Sequence, residues 1–147
     1  MPDESFDSPE IPELFQRVRS HLQEASHVPP ECTWLPCHAI DLKQDGQLTA
    51  HVDSTKVSGS IVVGISLSTP SIMRLIPDQQ SAEQAGWVDL YLPPLSLYAL
   101  TGVGRYSYTH ELLPSGATFE SSTEDPITVE RGHRLSVIFR DAKAENE

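Results

Sequence analysis

Apolar positions along the chain follow two different periods. From Pro9 to about Ala25, the residues Ile11, Leu14, Phe15, Val18 and Leu22 recur at helical spacing, so one side of a helix over 9–25 is expected to face a core. Ser8 stands where it can cap this helix, and Glu10 and Glu13 fall in its first turns, where the helix dipole favours acids. His21 and His27 lie on or beyond its polar side and are expected to be solvated. After Pro29-Pro30 the pattern shortens to strands, expected near 34–42, 47–53, 59–68, 71–76, 87–93, 96–101, 105–112, 127–129 and 133–140. The breaks between them are Asp45-Gly46, Ser58-Gly59, Pro70, Pro77, Pro93-Pro94, Gly102 and Pro114-Ser115-Gly116. One helix followed by nine short strands predicts a mainly β fold, a double-sheet jelly roll or a barrel.

A length of 147 residues suits one domain, expected over 9–141, with an acidic disordered lead at 1–8 and a frayed tail at 142–147. The polar stretches 78–86 and 114–125 read as loops, and no internal repeat is present. The formal net charge of −11, with 10 Lys and Arg against 21 Asp and Glu, supplies no general footprint for nucleic-acid phosphates. Cys32 and Cys37, separated by four residues, are too few for a zinc site and lack redox C-x-x-C spacing, so reduced thiols are expected. No apolar run approaches the length of a membrane span, and the start MPDESFDSPE resembles neither a secretory signal nor an Arg-rich presequence.

Three elements carry candidate chemistry. In QLTAHVDS, His51 and Asp53 are two residues apart, so on a strand both side chains enter one cavity. An imidazole and a carboxylate are two members of the facial triad that holds non-haem iron(II). A third ligand must come from a distant strand, and His110 in RYSYTHELL lies 57 residues beyond Asp53. In RLSVIFR, Arg134 and Arg140 share one strand face while Leu135, Val137 and Phe139 point the other way, into an apolar layer. Two inward guanidinium groups need anions, and a dicarboxylate would supply them, since Arg binds carboxylate bidentately. Read singly, His110 suits an ordinary core histidine and the arginines suit strand ends reaching solvent. It is the ordered series H-x-D, His, R-x5-R that chance seldom produces.

With these motifs, the segments DLKQDGQLTAHVDSTKVSGSIVVGISLSTPSIMRLI, LPPLSLYALTGVGRYSYTHELL and RGHRLSVIFR resemble the AlkB family of iron(II)- and 2-oxoglutarate-dependent dioxygenases, over about Trp34 to Arg140. The resemblance implies a double-stranded β-helix (jelly roll) with His51, Asp53 and His110 as iron ligands. It implies that Arg134 holds the distal carboxylate of 2-oxoglutarate, with Arg140 near its other end or near Asp53, and that Tyr98 contacts this cosubstrate. Tyr98 suits a core aromatic equally well. The stretch CHAIDL lacks the Asn and Tyr that many members place before H-x-D. Ile61-Val62-Val63 and Leu97 are expected to wall the cavity, and Tyr106 and Tyr108 to share the parity of His110.

The implied reaction consumes dioxygen and 2-oxoglutarate, oxidises a C–H bond of a protein or RNA substrate, and releases succinate and carbon dioxide. The implied setting is mitochondrial, in the regulation of programmed necrosis and fatty-acid metabolism, with a cytoplasmic location as the alternative. About thirty residues precede the first core strand and show no lid hairpin, which with the acidic charge points away from double-stranded DNA. The rival reading is a non-catalytic metal-binding interaction module of the same fold. A cupin-like structural domain with coincidental His and Arg would require three independent coincidences.

Overall fold

Two four-stranded antiparallel sheets face each other, and the apolar face of one helix covers the outside of the first. The computed structural model describes residues 8–144 apart from Ser26, Pro30 and 80–85. Most of the expected 1–8 lead and the end of the expected tail therefore lie outside the described residues. Helix α1 (Glu10–Glu24) matches the expected helix to within one residue at each end. The Ser8 hydroxyl accepts the Glu10 N–H at 3.4 Å. Phe15 and Leu22 are buried, and His21 and His27 are exposed, as the periodicity predicts.

The major sheet has the order β1-β10-β3-β6, formed by β1 (His38–Leu42), β10 (Arg134–Ala142), β3 (Ser58–Ser66) and β6 (Ser96–Thr101). The minor sheet has the order β2-β7-β4-β5, formed by β2 (Leu48–His51), β7 (Tyr108–Leu112), β4 (Ser71–Pro77) and β5 (Val88–Leu92). This is a double-stranded β-helix. A two-stranded hairpin of β8 (Ala117–Phe119) and β9 (Ile127–Val129) completes the described strands.

Alternation on β3 and β10 divides the core. Ile61, Val63, Val137 and Phe139 pack outward against Phe15, Val18 and Leu22 of α1, with Phe15 and Phe139 edge to face at 4.9 Å. Val62 and Ile138 pack inward with Leu100, Leu75 and Tyr98. Met73, Leu92 and Leu112 of the minor sheet meet Leu42 and Tyr98 from across the interior. Gly64 is opposite Tyr98 in the β3–β6 ladder, and a Cβ there would come within 2.2 Å of the Tyr98 ring. Glycine at that position is what lets the ring lie over the sheet.

Several boundaries depart from the sequence reading. Strand β1 begins at His38 rather than Trp34, which makes only an isolated bridge to Asp141. Pro36 has no N–H to extend the ladder. The expected 105–112 strand is divided, because Gly102–Tyr106 forms a one-turn helix, α2, before β7 starts at Tyr108. Gly102, at φ +51°, makes the turn out of β6. Ser58-Gly59 falls inside β3 rather than between strands, beside an irregularity in the β3–β10 register. Residues 114–125 contain β8, and Ala142 ends β10 instead of opening a tail. Among the described residues no helix is long and apolar enough to cross a membrane.

Candidate metal centre

The β2–β7 ladder places His51 directly opposite His110, with ring centroids 4.3 Å apart. Asp53 joins them from just beyond the end of β2, since that strand stops at His51 rather than running to 53. The same-face argument for an unbroken strand therefore does not apply, yet the carboxylate still reaches the pair. Asp53 Oδ1 lies 3.2 Å from His51 Nε2 and 3.7 Å from His110 Nε2. One ligand atom from each residue falls within 4.8 Å of the others, close enough for one metal ion. Asp53 and His110 are buried, and the His51 side chain is partly exposed.

Neighbouring groups set the charge state of this cluster. Burial alone would raise the Asp53 pKa, but the His51 hydrogen bond and the Arg140 guanidinium outweigh it and hold the carboxyl far below its usual range. Arg140 Nε donates to Asp53 Oδ2, which leaves Oδ1 turned to the histidines. Burial, with the charge of His51 beside it, pushes His110 down to about 4, so it is a neutral donor at pH 7. The Asp53 hydrogen bond raises His51 despite burial, and its Nδ1 is fixed at 2.8 Å from the Thr49 carbonyl. With Nδ1–H donating to that carbonyl, the tautomer is the one that leaves Nε2 free for a metal.

Arg134 and Arg140 both lie on the inward parity of β10, as predicted. Arg134 is 1% exposed, donating from Nε to Ser66 Oγ at 3.2 Å and from one terminal nitrogen to Ser136 Oγ at 3.1 Å. Its other terminal nitrogen is buried without a hydrogen-bond partner, and among the described residues no carboxylate forms an ion pair with it. Burial pushes its pKa down, opposed by the Tyr98 phenol. The Tyr98 phenol approaches Arg134 closely enough for a side-chain hydrogen bond to favour both charged forms, and it lies within electrostatic reach of Asp53 and Arg140, with its own pKa raised by burial. The interior of the sheet pair thus holds a buried cationic donor beside a phenol, an arrangement suited to an anion.

An open cavity of about 590 Å³ leads in from the surface past Leu35, Pro36 and Val57, with His38 and Arg140 at its polar side. His38 Nε2 lies 3.0 Å from an Arg140 terminal nitrogen. The sequence reading did not single out His38, although CHAIDL occupies the strand where cosubstrate contacts were sought. Other expectations are corrected here. Ile61 and Val63 pack under α1, Leu97 is exposed on that outer side, and only Val62 of the group faces inward. Tyr106 ends α2 with 43% of its surface exposed and does not share the strand of His110. Arg105 and Arg131, both buried and bonded to backbone carbonyls, were also missed. Their partners are main-chain atoms, which carry no signature in a single sequence.

Fold and cluster together define a double-stranded β-helix with a two-histidine, one-carboxylate centre. No protein-family model matches the chain. It is 38% identical over 128 residues to the alpha-ketoglutarate-dependent dioxygenase alkB homolog 7, mitochondrial, of Bos taurus, covering 87% of this chain and 55% of that protein. It is 39% identical over 127 residues to the mouse protein of the same name, covering 86% of this chain and 52% of that one. The chain belongs to the AlkB family, and it spans about half the length of the curated relatives it matches.

Proposed function

We propose that this chain holds iron(II) through His51, Asp53 and His110, binds 2-oxoglutarate against Arg134, and acts as a dioxygenase on a C–H bond of a protein or RNA substrate. The observation that carries this reading is the unpartnered nitrogen of a fully buried Arg134 inside the same β-helix as the cluster. A buried guanidinium without an anion is costly, and a dicarboxylate removes that cost. Both relatives carry alpha-ketoglutarate, another name for 2-oxoglutarate, in their names.

The metal would supply the redox chemistry that couples decarboxylation of the keto acid, giving succinate and carbon dioxide, to oxidation of the substrate. The chain's own part is binding and orientation. His110 is already neutral, and Asp53 is already ionised and turned by Arg140. Arg134, Ser66, Ser136 and Tyr98 form a polar floor beneath an otherwise apolar interior of Val62, Leu100 and Ile138. That interior limits water at the reacting centre. The mouth at Leu35, Pro36 and Val57 would receive the substrate. The relatives' names support a mitochondrial setting, and the role in programmed necrosis and fatty-acid metabolism belongs to the same reading.

The test is an anaerobic titration of metal-free protein with iron(II) and 2-oxoglutarate, read by the visible metal-to-ligand charge-transfer band. A band that fades in His51→Ala and Arg134→Ala is the expected result, and no band from folded protein would overturn the assignment. Slow release of succinate without added substrate separates an enzyme from a non-catalytic module of the same fold.

A further inference from the structure

Among the described residues Arg105 is one of three buried arginines, with Arg131 and Arg134, at 2% exposure. Its hydrogen-bond acceptors are all backbone carbonyls of one short segment, and its guanidinium lies 5.0 Å from the centre of the Tyr106 ring. Nε donates to Gly59 O at 3.1 Å, one terminal nitrogen to Asp53 O at 3.0 Å, and the other to Ser54 O at 3.4 Å and Ser58 O at 3.5 Å. That segment is the connection from β2 to β3, which carries Asp53, together with the first two residues of β3. Asp53 lies beyond β2, and the β2–β7 register is already irregular between Leu48 and His51, so the ladder does not fix its backbone. Arg105 itself sits in α2, five residues ahead of His110 on the strand that follows.

We infer that Arg105 is a positioning residue for the metal centre, a guanidinium clamp that ties the segment delivering Asp53 to the segment delivering His110. The inference rests on the proposed metal reading. Its physical basis is the rigid, multi-donor fork of arginine, which can hold several carbonyls at fixed relative positions where a single ammonium cannot. Asp53 is then held at two points: its side chain by Arg140 and its carbonyl by Arg105. The same hydrogen bonds brace Ser54 and Ser58 at the rim of the mouth.

Arg131 provides a matched control. It is 3% exposed and donates to the carbonyls of Lys43, Gln44 and Gly46, in the turn between β1 and β2 and outside the residues that line the mouth. Arg105→Lys and Arg131→Lys are compared with the unmodified chain by cobalt(II) titration, followed through its visible ligand-field spectrum, and by thermal melting without metal. Both variants are expected to lower the melting temperature. Arg105→Lys alone is expected to weaken cobalt(II) binding by about 10- to 100-fold, the usual effect of removing a group that orients a ligand, and to alter the spectrum.

Equal cobalt(II) affinities and spectra in the unmodified chain and Arg105→Lys would overturn the clamp while leaving the metal reading intact. No cobalt(II) uptake by the unmodified chain would overturn the metal reading itself. If Arg105→Lys does not fold, hydrogen exchange on the unmodified, metal-free chain decides. The Ser58 N–H, bonded to Ser54 O within the clamped segment, is expected to be protected before any metal is added. Protection that arises only after cobalt(II) is added would mean that metal, not Arg105, orders the segment, and would overturn the inference.

Discussion

The two faces of the major sheet are built from the same strands to opposite ends. Outward, β3 and β10 present Ile61, Val63, Val137 and Phe139 to α1, with the buried Asp141 at the edge of this layer accepting from the N–H groups of Ser60 and Ile61. Inward, at the alternate positions, β10 presents Arg134, Ser136 and Arg140 around Ile138. The outer face is held chiefly by volume and shape. The inner face is chemically incomplete: one buried guanidinium nitrogen has no partner, and three potential metal ligands point at each other. Stability is therefore expected to reside chiefly in the first face and binding in the second.

The largest break in this comparison is Asp53→Ala. It is expected to abolish iron(II) and cobalt(II) uptake in the anaerobic titration, because it removes one ligand and leaves Arg140 facing the histidines. Phe139→Ala attacks the other face. It should cost about 3–5 kcal/mol of unfolding free energy in urea, while the fraction that remains folded binds cobalt(II) as before. Arg134→Met is expected to do the reverse. Loss of 2-oxoglutarate affinity in calorimetry should correspond to about 2–5 kcal/mol, yet melting temperature should hold or rise, because a buried unpaired cation has been replaced by an apolar side chain. Parallel losses of stability in both variants would show that the two faces are not separable.

The smallest effect is on pH. A metal requires neutral imidazole, and the metal-free site raises His51 above its ordinary value through the Asp53 hydrogen bond. Protons therefore compete with metal at His51 from a higher pH than for a free histidine. Cobalt(II) affinity is expected to fall about tenfold for each pH unit below the His51 pKa. His110, pushed down to about 4, adds a second proton only well into acid. A single-proton slope from the ordinary imidazole value of 6.5 down to pH 5 checks this, and a two-proton slope there would place His110 in the wrong environment.

Much of this division was legible in the chain. Helix α1 and strand β10 announce themselves because each has one face committed to the core, so period and parity survive in the sequence. The R-x5-R spacing placed both arginines inward correctly, and Phe139 and Val137 outward. Short elements were read unevenly: β9 falls at its expected 127–129, while β8 lies in a polar stretch that reads as loop and α2 is one turn whose burial falls on an arginine. Within the site, the three clustered residues could be found by type and order, while His38, Arg105 and Arg131 could not. Those three act through geometry with distant or main-chain partners, and a sequence records neither. Asp53 was found for a reason that proved incomplete, since the strand ends before it.

The cross-strand pairing of His51 with His110 also has a kinetic meaning. These residues are 59 positions apart, so their ladder closes only when a long stretch of chain has already been brought back on itself. A slip of one residue in that pairing would turn His110 to the opposite side of its sheet. Compact but misregistered forms of the chain would therefore carry all three residues and no site. Metal uptake during refolding would then report correct long-range pairing rather than mere collapse, and the metal would select the finished topology instead of nucleating it.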